Sequence, residues 1–146
     1  MKLLYVAIGI ATLLALAIPA AFFYYGQVAN PRAVAELMEE PTGLRAQKVM
    51  LLTLPSGRRL PVNYLAEDNR IYAGADGRWW KELAGGTFDV TVWVLGETSA
   101  GRASVVDDDP NYTKDIFSRL RPSALPGTGR LIEILLAPAD PGGPIR

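Results

Sequence analysis

The feature that most constrains this chain is an uncharged run of 23 residues near its start. The run extends from Leu3 to Tyr25 and reads LLYVAIGIATLLALAIPAAFFYY. Because a helix rises about 1.5 Å per residue, such a run covers the roughly 30 Å hydrocarbon core of a bilayer. Four aromatic residues close it, as is typical of a membrane–water interface. We therefore predict a transmembrane anchor over residues 1–26, a single-pass membrane location, and contact of the lipid bilayer with residues 3–25.

A cleaved signal peptide is the alternative interpretation of this run, because Lys2 and the small residues from Ala17 to Ala21 are also typical of one. The run is longer than the usual apolar region of about 7–15 residues, which favours the anchor. Lys2 and the amino terminus balance Arg32 and Arg45, so these charges leave the orientation open. A minimal basic start usually stays in the cytoplasm, which favours a non-cytoplasmic (periplasmic) side for the rest of the chain.

Composition excludes several classes of function. The 146 residues include fifteen basic and fifteen acidic side chains, and neither histidine nor cysteine. A net charge of zero argues against nucleic acid as a partner, because such binding needs a basic surface. Without Cys or His the chain has no thiolate or imidazole chemistry, no disulfide and no Ser-His-Asp triad. We therefore expect no metal site, and no residue has an obvious catalytic role.

Hydrophobic periodicity after the anchor predicts six strands. The alternation is clearest where Phe88, Val90, Val92 and Val94 share one face. The other predicted strands are Lys48–Leu54, Arg59–Leu65, Arg70–Ala73, Thr98–Val106 and Arg130–Leu136. A two-residue hairpin with glycine first is predicted at Gly96-Glu97.

Two short helices are predicted from capping residues followed by proline, at Asn30-Pro31 and at Asp109-Pro110. The apolar residues expected to face the domain on the first helix are Val34, Leu37 and Met38. Between the predicted strands, residues 74–86 are expected to form a loop with one helical turn.

The order of these elements predicts the fold class. Helices do not alternate with strands, which disfavours a parallel α/β sheet. We predict an α+β chain, in which the transmembrane helix is followed by a small antiparallel β-barrel with two short helices. The barrel domain is expected to cover residues 27–137, and the Pro/Gly-rich residues 138–146 are expected to form an irregular tail.

Three segments between Val49 and Asp108 carry a combination of family motifs. Leu51–Tyr64 has a Leu-Leu-Thr strand, a turn with Gly and Arg, and a strand with Pro and Tyr. Ala73–Leu83 has an Ala-Gly loop that leads to an aromatic pair, and Val90–Asp108 has a Val-Thr-Val strand, a hairpin and a Gly-Arg-Ala return strand. This combination resembles the deazaflavin-dependent nitroreductase family, which consists of split β-barrels related to flavin-binding pyridoxamine-phosphate-oxidase-like folds.

The resemblance implies a set of cofactor-binding residues, because these two loops contact the cofactor's phosphate and tail in that family. Transferred to this chain, they are Ser56, Gly57, Arg58, Arg59, Arg78, Trp79 and Lys81. Arginine is a planar phosphate donor, and an indole can stack on a flavin-like ring. Both loops are shorter than is usual in the family, and the second lacks the basic residue and the proline that precede the aromatic pair. We therefore expect no cofactor, with the deazaflavin F420 or FMN as the alternative.

Other aromatic and small residues are predicted to contact partners. Trp79 and Trp80 can stack on a cofactor, meet a partner or the membrane, or pack over a barrel end. Trp93 lies on the polar face of its strand, where it can cover a helix or meet a partner. Small residues in the anchor offer faces for packing against other membrane helices. The anchor residues predicted to make such contacts are Gly9, Ala11 and Ala15.

Two functions follow from these observations. The favoured one is a membrane-anchored accessory or structural subunit, built on a degenerate flavin-reductase-like barrel, that docks on other subunits of a larger membrane complex, such as an energy-converting one. The alternative is a membrane-tethered reductase that uses a deazaflavin or FMN and acts on a quinone-like or other lipid-soluble acceptor. In such an enzyme the cofactor carries the hydride, so the lack of His and Cys does not exclude activity.

Overall fold

The computed structural model describes residues 1–24, 30–124, 127 and 129–138, without the side chains of Leu3, Phe22 and Phe23. Most of the predicted tail and the end of the predicted anchor therefore lie outside the described residues. The helices are α1 (Lys2–Tyr24), α2 (Asn30–Glu39) and α3 (Pro110–Leu120), with a 3₁₀ helix at Trp79–Leu83. The strands are β1 (Val49–Thr53), β2 (Arg59–Glu67), β3 (Arg70–Ala75), β4 (Phe88–Val94), β5 (Glu97–Val106) and β6 (Arg130–Leu136).

The six strands close into a barrel in the order β1-β2-β3-β6-β5-β4. Every neighbouring pair is antiparallel. Alternate residues of each strand point inward, and Leu52, Val92 and Ile132 are among the fully buried side chains of the interior. The predicted α+β fold with a small antiparallel barrel is confirmed, and β2 and β3 extend two residues further than predicted.

The two ends of the barrel differ. At one end, the 3₁₀ helix crosses between β3 and β4, and its Leu83 is completely buried among the interior side chains. This end, which we call the capped end, also carries the turn between β1 and β2. The opposite end, which we call the open end, carries the β2–β3 turn after Glu67 and the β4–β5 turn after Val94. Functional side chains can therefore be assigned to one end or the other.

Two helices cover opposite outer sides of the barrel. Leu37 of α2 packs with Ala46, Leu51 and Trp93 over β1 and β4. Ile116 of α3 packs over β3 and β6, and Asp109 caps this helix by accepting a 2.9 Å hydrogen bond from the Tyr112 amide. The structure corrects the prediction for Met38, which is 55% exposed. The reason is that α2 lies on the barrel through Val34 and Leu37, so Met38 faces away from this contact.

The β4–β5 turn differs by one residue from the prediction. Val94 pairs with Glu97, which leaves Leu95 and Gly96 as the two turn residues. Their φ angles are 50° and 88°, so both residues are in the left-handed region, as a type I′ turn requires. The prediction placed glycine first, whereas here a leucine occupies the first position, which a bulky residue adopts only under strain.

The helix α1 is long and apolar enough to cross a membrane. Its window Leu4–Ala21 has a mean hydropathy of 2.2, and none of it is buried. A helix that meets these criteria near the amino terminus is compatible with an anchor and with a signal sequence.

Candidate functional site

The two loops predicted to bind a cofactor meet at the capped end of the barrel. Arg58, in the β1–β2 turn, places Nη2 3.3 Å from Oε1 of Glu82 in the 3₁₀ helix. Antiparallel pairing of Thr53 with Arg59 brings this turn to the end where the 3₁₀ helix crosses. Arg58, which the resemblance assigns to a cofactor phosphate, is therefore paired with a carboxylate of the chain itself.

The other groups of this turn that were predicted to bind a phosphate form hydrogen bonds within the turn. Gly57 has a φ of 84°, and its amide donates a 2.8 Å hydrogen bond to the carbonyl of Leu54. The amide of Arg58 donates to the hydroxyl of Ser56 at 3.4 Å. Both backbone donors are therefore directed into the turn, where they stabilise its conformation.

Both tryptophans of the 3₁₀ helix are half-buried and pack against the barrel interior. The guanidinium of Arg130, at the start of β6, lies 5.1 Å from the ring centroid of Trp80. A cation at this distance from an indole face is attracted by the ring quadrupole. One face of Trp80 is thus covered by Arg130, and the pair closes this side of the capped end.

All seven predicted cofactor residues except Trp79 are exposed, and three of the exposed ones are cations other than Arg58. They are Arg59, Arg78 and Lys81. Within the described ranges, none of the three has an acidic partner within 4 Å. Acidic residues such as Asp76 and Glu82 lie at the same end, so its surface carries charges of both signs. None of the seven predicted residues lines either cavity described below.

The larger cavity is a groove of about 570 Å³ beside α3, which the prediction did not include. Its wall combines the ring of Phe117 with the cations Lys114 and Arg121. Arg121 is only 12% exposed; it forms an ion pair with Asp76 and lies 5.5 Å from the centroid of Phe117. Its guanidinium rests against Gly74, where a Cβ atom would come within 1.9 Å of Nη2. Glycine in β3 is therefore what lets this arginine lie on the sheet.

The smaller cavity, of about 300 Å³, is the mouth of the barrel at the open end. Interior residues such as Ile71 and Val92 form its floor, and Arg70, Leu95 and Glu97 lie around its opening. The open end therefore leads directly to apolar side chains of the core.

A hydrogen-bonded chain joins α3 to the outer face of the barrel. The hydroxyls of Tyr72 and Tyr112 lie 2.6 Å apart, and Tyr112 donates to Oε2 of Glu133 at 2.8 Å. Burial, with the hydrogen bonds to Tyr72 and Glu133, raises the pKa of Tyr112 above its ordinary value of 10.0. Burial also raises the pKa of Tyr64, whose hydroxyl donates to the carbonyl of Ala46. Protonated phenols therefore stabilise the fold.

We expect Tyr112→Phe to lower the free energy of unfolding by about 1–2 kcal/mol near neutral pH, because two hydrogen bonds are lost. The raised pKa means that the phenol's contribution is complete below the ordinary value of 10.0 and is lost as pH rises above it. The difference in the free energy of unfolding between wild type and Tyr112→Phe should therefore become smaller in alkaline solution. Urea unfolding of the full chain in detergent measures it, with the exposed Tyr5→Phe as the control. A difference that grows at alkaline pH would contradict the expectation.

The other predicted contact residues are distributed over two regions. Trp93 is half-buried on the outside of the barrel, against the cluster that contains Leu37. In α1, Ala11 and Ala15 are four residues apart and share a face, since successive residues turn by about 100°. Gly9 is rotated by about 200° from Ala11 and therefore lies on a different face. Ala7, which the prediction missed, completes the face of Ala11 and Ala15.

Comparison with solved structures finds six chains that resemble this one. One of them is a protein from Listeria innocua described as a candidate pyridoxamine 5′-phosphate oxidase, with a TM-score of 0.49 and 16% identity. The match covers 63% of this chain and 87% of that chain. No family model matches the chain, and no curated protein matches it. The specific resemblance to deazaflavin-dependent nitroreductases stays a prediction.

Proposed function

We propose that this chain is a membrane-anchored accessory subunit, in which α1 crosses the bilayer and the barrel docks on a larger membrane protein complex. In this role the barrel contributes surface and position rather than a reaction. The partner complex must present a membrane helix to α1 and a soluble surface to the barrel.

The observation that carries this proposal is that several groups of the surface predicted to hold a cofactor already have partners within the capped end. Arg58 pairs with Glu82, Trp80 is covered by Arg130, and the Gly57 amide closes its own turn. A phosphate would have to displace these contacts, each of which stabilises the capped end. These occupied groups, beside the exposed cations Arg59, Arg78 and Lys81, suit a docking surface better than a cofactor site.

The sequence of α1 supports a packed helix rather than a simple tether. Ala7, Ala11 and Ala15 form a small-residue face, and they are exposed in the isolated chain. Small residues let two membrane helices approach closely, and packing contacts of this kind drive association in lipid. The small-residue face is therefore the surface we assign to a partner helix.

We expect the full chain, extracted from its native membrane in mild detergent, to be colourless and to migrate with other subunits, well above its own 15.8 kDa. Replacement of Ala11 and Ala15 together by leucine should detach it, because the larger side chains keep the partner helix away. Native gel migration and mass spectrometry of the co-purified subunits measure this result.

A matched control is available in the same helix. Ala17→Leu with Ala20→Leu makes the same chemical change about 120° and 180° away from Ala11, the centre of the small-residue face. The control variant should keep the complex intact. Equal migration of both double variants with the partner subunits would contradict the assignment of this face, and a stoichiometric flavin or deazaflavin in the wild type would overturn the accessory role.

One observation favours the reductase as a second candidate. The groove beside α3 has a volume of about 570 Å³, which lies within the range of small-molecule sites, and it carries Lys114 and Arg121. Titration of the full chain with FMN and with the deazaflavin, followed by equilibrium dialysis, tests this candidate. Saturable binding that is weakened by Lys114→Ala would support it. No binding of either molecule leaves the accessory role as the function supported best.

A further inference from the structure

The barrel domain has its exposed apolar residues at one end. Among the described residues after α1, four large hydrophobic side chains are exposed: Met38, Leu44, Leu95 and Leu135. We call these four the apolar rim. Leu95 forms the β4–β5 turn, Leu135 lies near the end of β6, and Met38 and Leu44 flank the chain between α2 and β1. All of these places are at the open end of the barrel.

One contact ties the two main parts of the apolar rim together. A Cβ atom built on Gly96 would lie 3.3 Å from the Cβ of Pro41, so the β4–β5 turn touches the segment that follows α2. Leu44, three residues after Pro41, is 83% exposed, and Leu95, the residue before Gly96, is 42% exposed. The β4–β5 turn and the segment after α2 are therefore neighbours at the open end, and the exposed Leu95 and Leu44 belong to these two neighbouring segments.

The conformation of Leu95 is a second, independent observation. Its φ of 50° lies in the left-handed region, and the first position of a type I′ turn usually carries Asn, Asp or Gly. A leucine there is strained, and its exposed side chain gains no burial in the isolated domain that would offset this strain. Such a residue is expected where the exposed side chain meets another apolar phase.

The charges of the barrel domain do not distinguish its two ends. The capped end carries cations such as Arg58 and Arg78 together with the carboxylates of Asp76 and Glu82. The open end also carries both signs, since Glu97 and Asp68 lie near Arg70. A mixed set of charges is compatible with the headgroup region of a neutral bilayer, so the exposed leucines are what single out the open end.

From these observations we propose that the apolar rim dips into the bilayer interface and holds the open end of the barrel against the membrane. The inference rests on α1 crossing that membrane, as in the proposed function. Residues 25–29 join α1 to α2 and can span at most about 20 Å, so the domain cannot move far from the surface. The mouth of the barrel, with its apolar floor, then faces the lipid.

The chain contains no cysteine, which makes a direct test possible. Leu44→Cys, Leu95→Cys and Ser56→Cys each give one thiol for a polarity-sensitive fluorophore, and Ser56 is the control at the capped end. The full-length variants are reconstituted in phosphatidylcholine vesicles with nitroxide-labelled lipids. Interfacial burial is typically about 5–10 Å deep, so labels at 44 and 95 should be quenched at least about twofold more than the label at 56.

A companion variant separates lipid contact from misfolding. With the label at Met38→Cys, the added changes Leu44→Ser and Leu95→Asn should abolish the excess quenching. Asparagine tolerates the left-handed conformation, so thermal unfolding should show that this variant is as stable as the parent or more so. Excess quenching that survives both changes would overturn the proposal.

The outcomes also separate this inference from the proposed function. If alkaline carbonate extracts the chain from the vesicles, α1 does not span the bilayer and the proposed function fails first. If α1 is retained but labels at 44 and 95 are as exposed to water as the label at 56, only the inference fails. If the label at 56 is quenched by the nitroxide lipids, and only when the vesicles contain phosphatidylserine, lipid contact belongs to the capped end. If the labels at 44 and 95 are shielded from water only when co-purified subunits are present, the apolar rim contacts a protein. Either result overturns the proposal.

Discussion

Replacement of Leu13 and Leu14 together by aspartate is expected to release the chain from the membrane into the soluble fraction. Both residues lie near the middle of α1, where an 18-residue window has a mean hydropathy of 2.2. A charged side chain at the centre of a membrane helix costs about 2.5–3.5 kcal/mol on insertion scales, so two cost about 5–7 kcal/mol.

The magnitudes decide the outcome of this change. The helix α1 contains eleven Leu, Ile, Val and Phe side chains, of which nine remain in the double variant. Each favours insertion by roughly 0.3–0.6 kcal/mol, which gives about 3–5 kcal/mol in total. Two aspartates therefore cancel the apolar contribution. A single aspartate does not cancel the apolar contribution to insertion, so the variant Leu13→Asp should remain partly in the membrane.

Fractionation with alkaline carbonate measures the result, and Leu13→Ala with Leu14→Ala is the matched control that should stay in the membrane fraction. Intact mass of the wild-type protein distinguishes an anchor from a signal peptide, because a cleaved chain lacks the mass of α1. A membrane-bound double-aspartate variant, or a shortened wild-type chain in the soluble fraction, would contradict the role that we assign to α1.

The barrel could be predicted from the sequence because its strands depend on local periodicity. Val90 and Val92 alternate with half-buried and exposed neighbours in β4, and this pattern fixes which face lies inside. The cap of α3 could be predicted for a similar reason, since Asp109 and Pro110 act only on the next few residues. These features need no knowledge of distant parts of the chain.

The contacts of the capped end could not be predicted in the same way. Arg58 and Glu82 are on different loops, and only closure of the barrel brings them together. Arg121 lies over Gly74 because α3 packs across β3, and no local pattern connects these two residues. The turn at Leu95 was misplaced because the rule applied to it expects glycine at the first position. A site assembled by tertiary contacts thus requires the structure.

Replacement of Leu83 by alanine should produce the largest loss of stability among changes at the capped end. Leu83 is completely buried, and it is the residue by which the 3₁₀ helix is inserted into the barrel interior. Leucine-to-alanine changes at such positions cost about 2–5 kcal/mol, which is a large part of the roughly 5–15 kcal/mol that stabilises a domain. Thermal unfolding of the full chain in detergent should show a midpoint lower by roughly 10 °C or more.

The exposed Lys81→Ala, two residues away in the same helix, is the control and should leave the midpoint unchanged. Trp79 and Trp80 also pack against the interior, so alanine at either position lowers stability as well and cannot by itself report on a partner or a cofactor. Arg130→Ala removes the cation from Trp80 while keeping the packed ring, and it is the better probe of that surface. If Leu83→Ala unfolds at the same temperature as wild type, the 3₁₀ helix does not close the barrel, and the capped end would be open to a ligand after all.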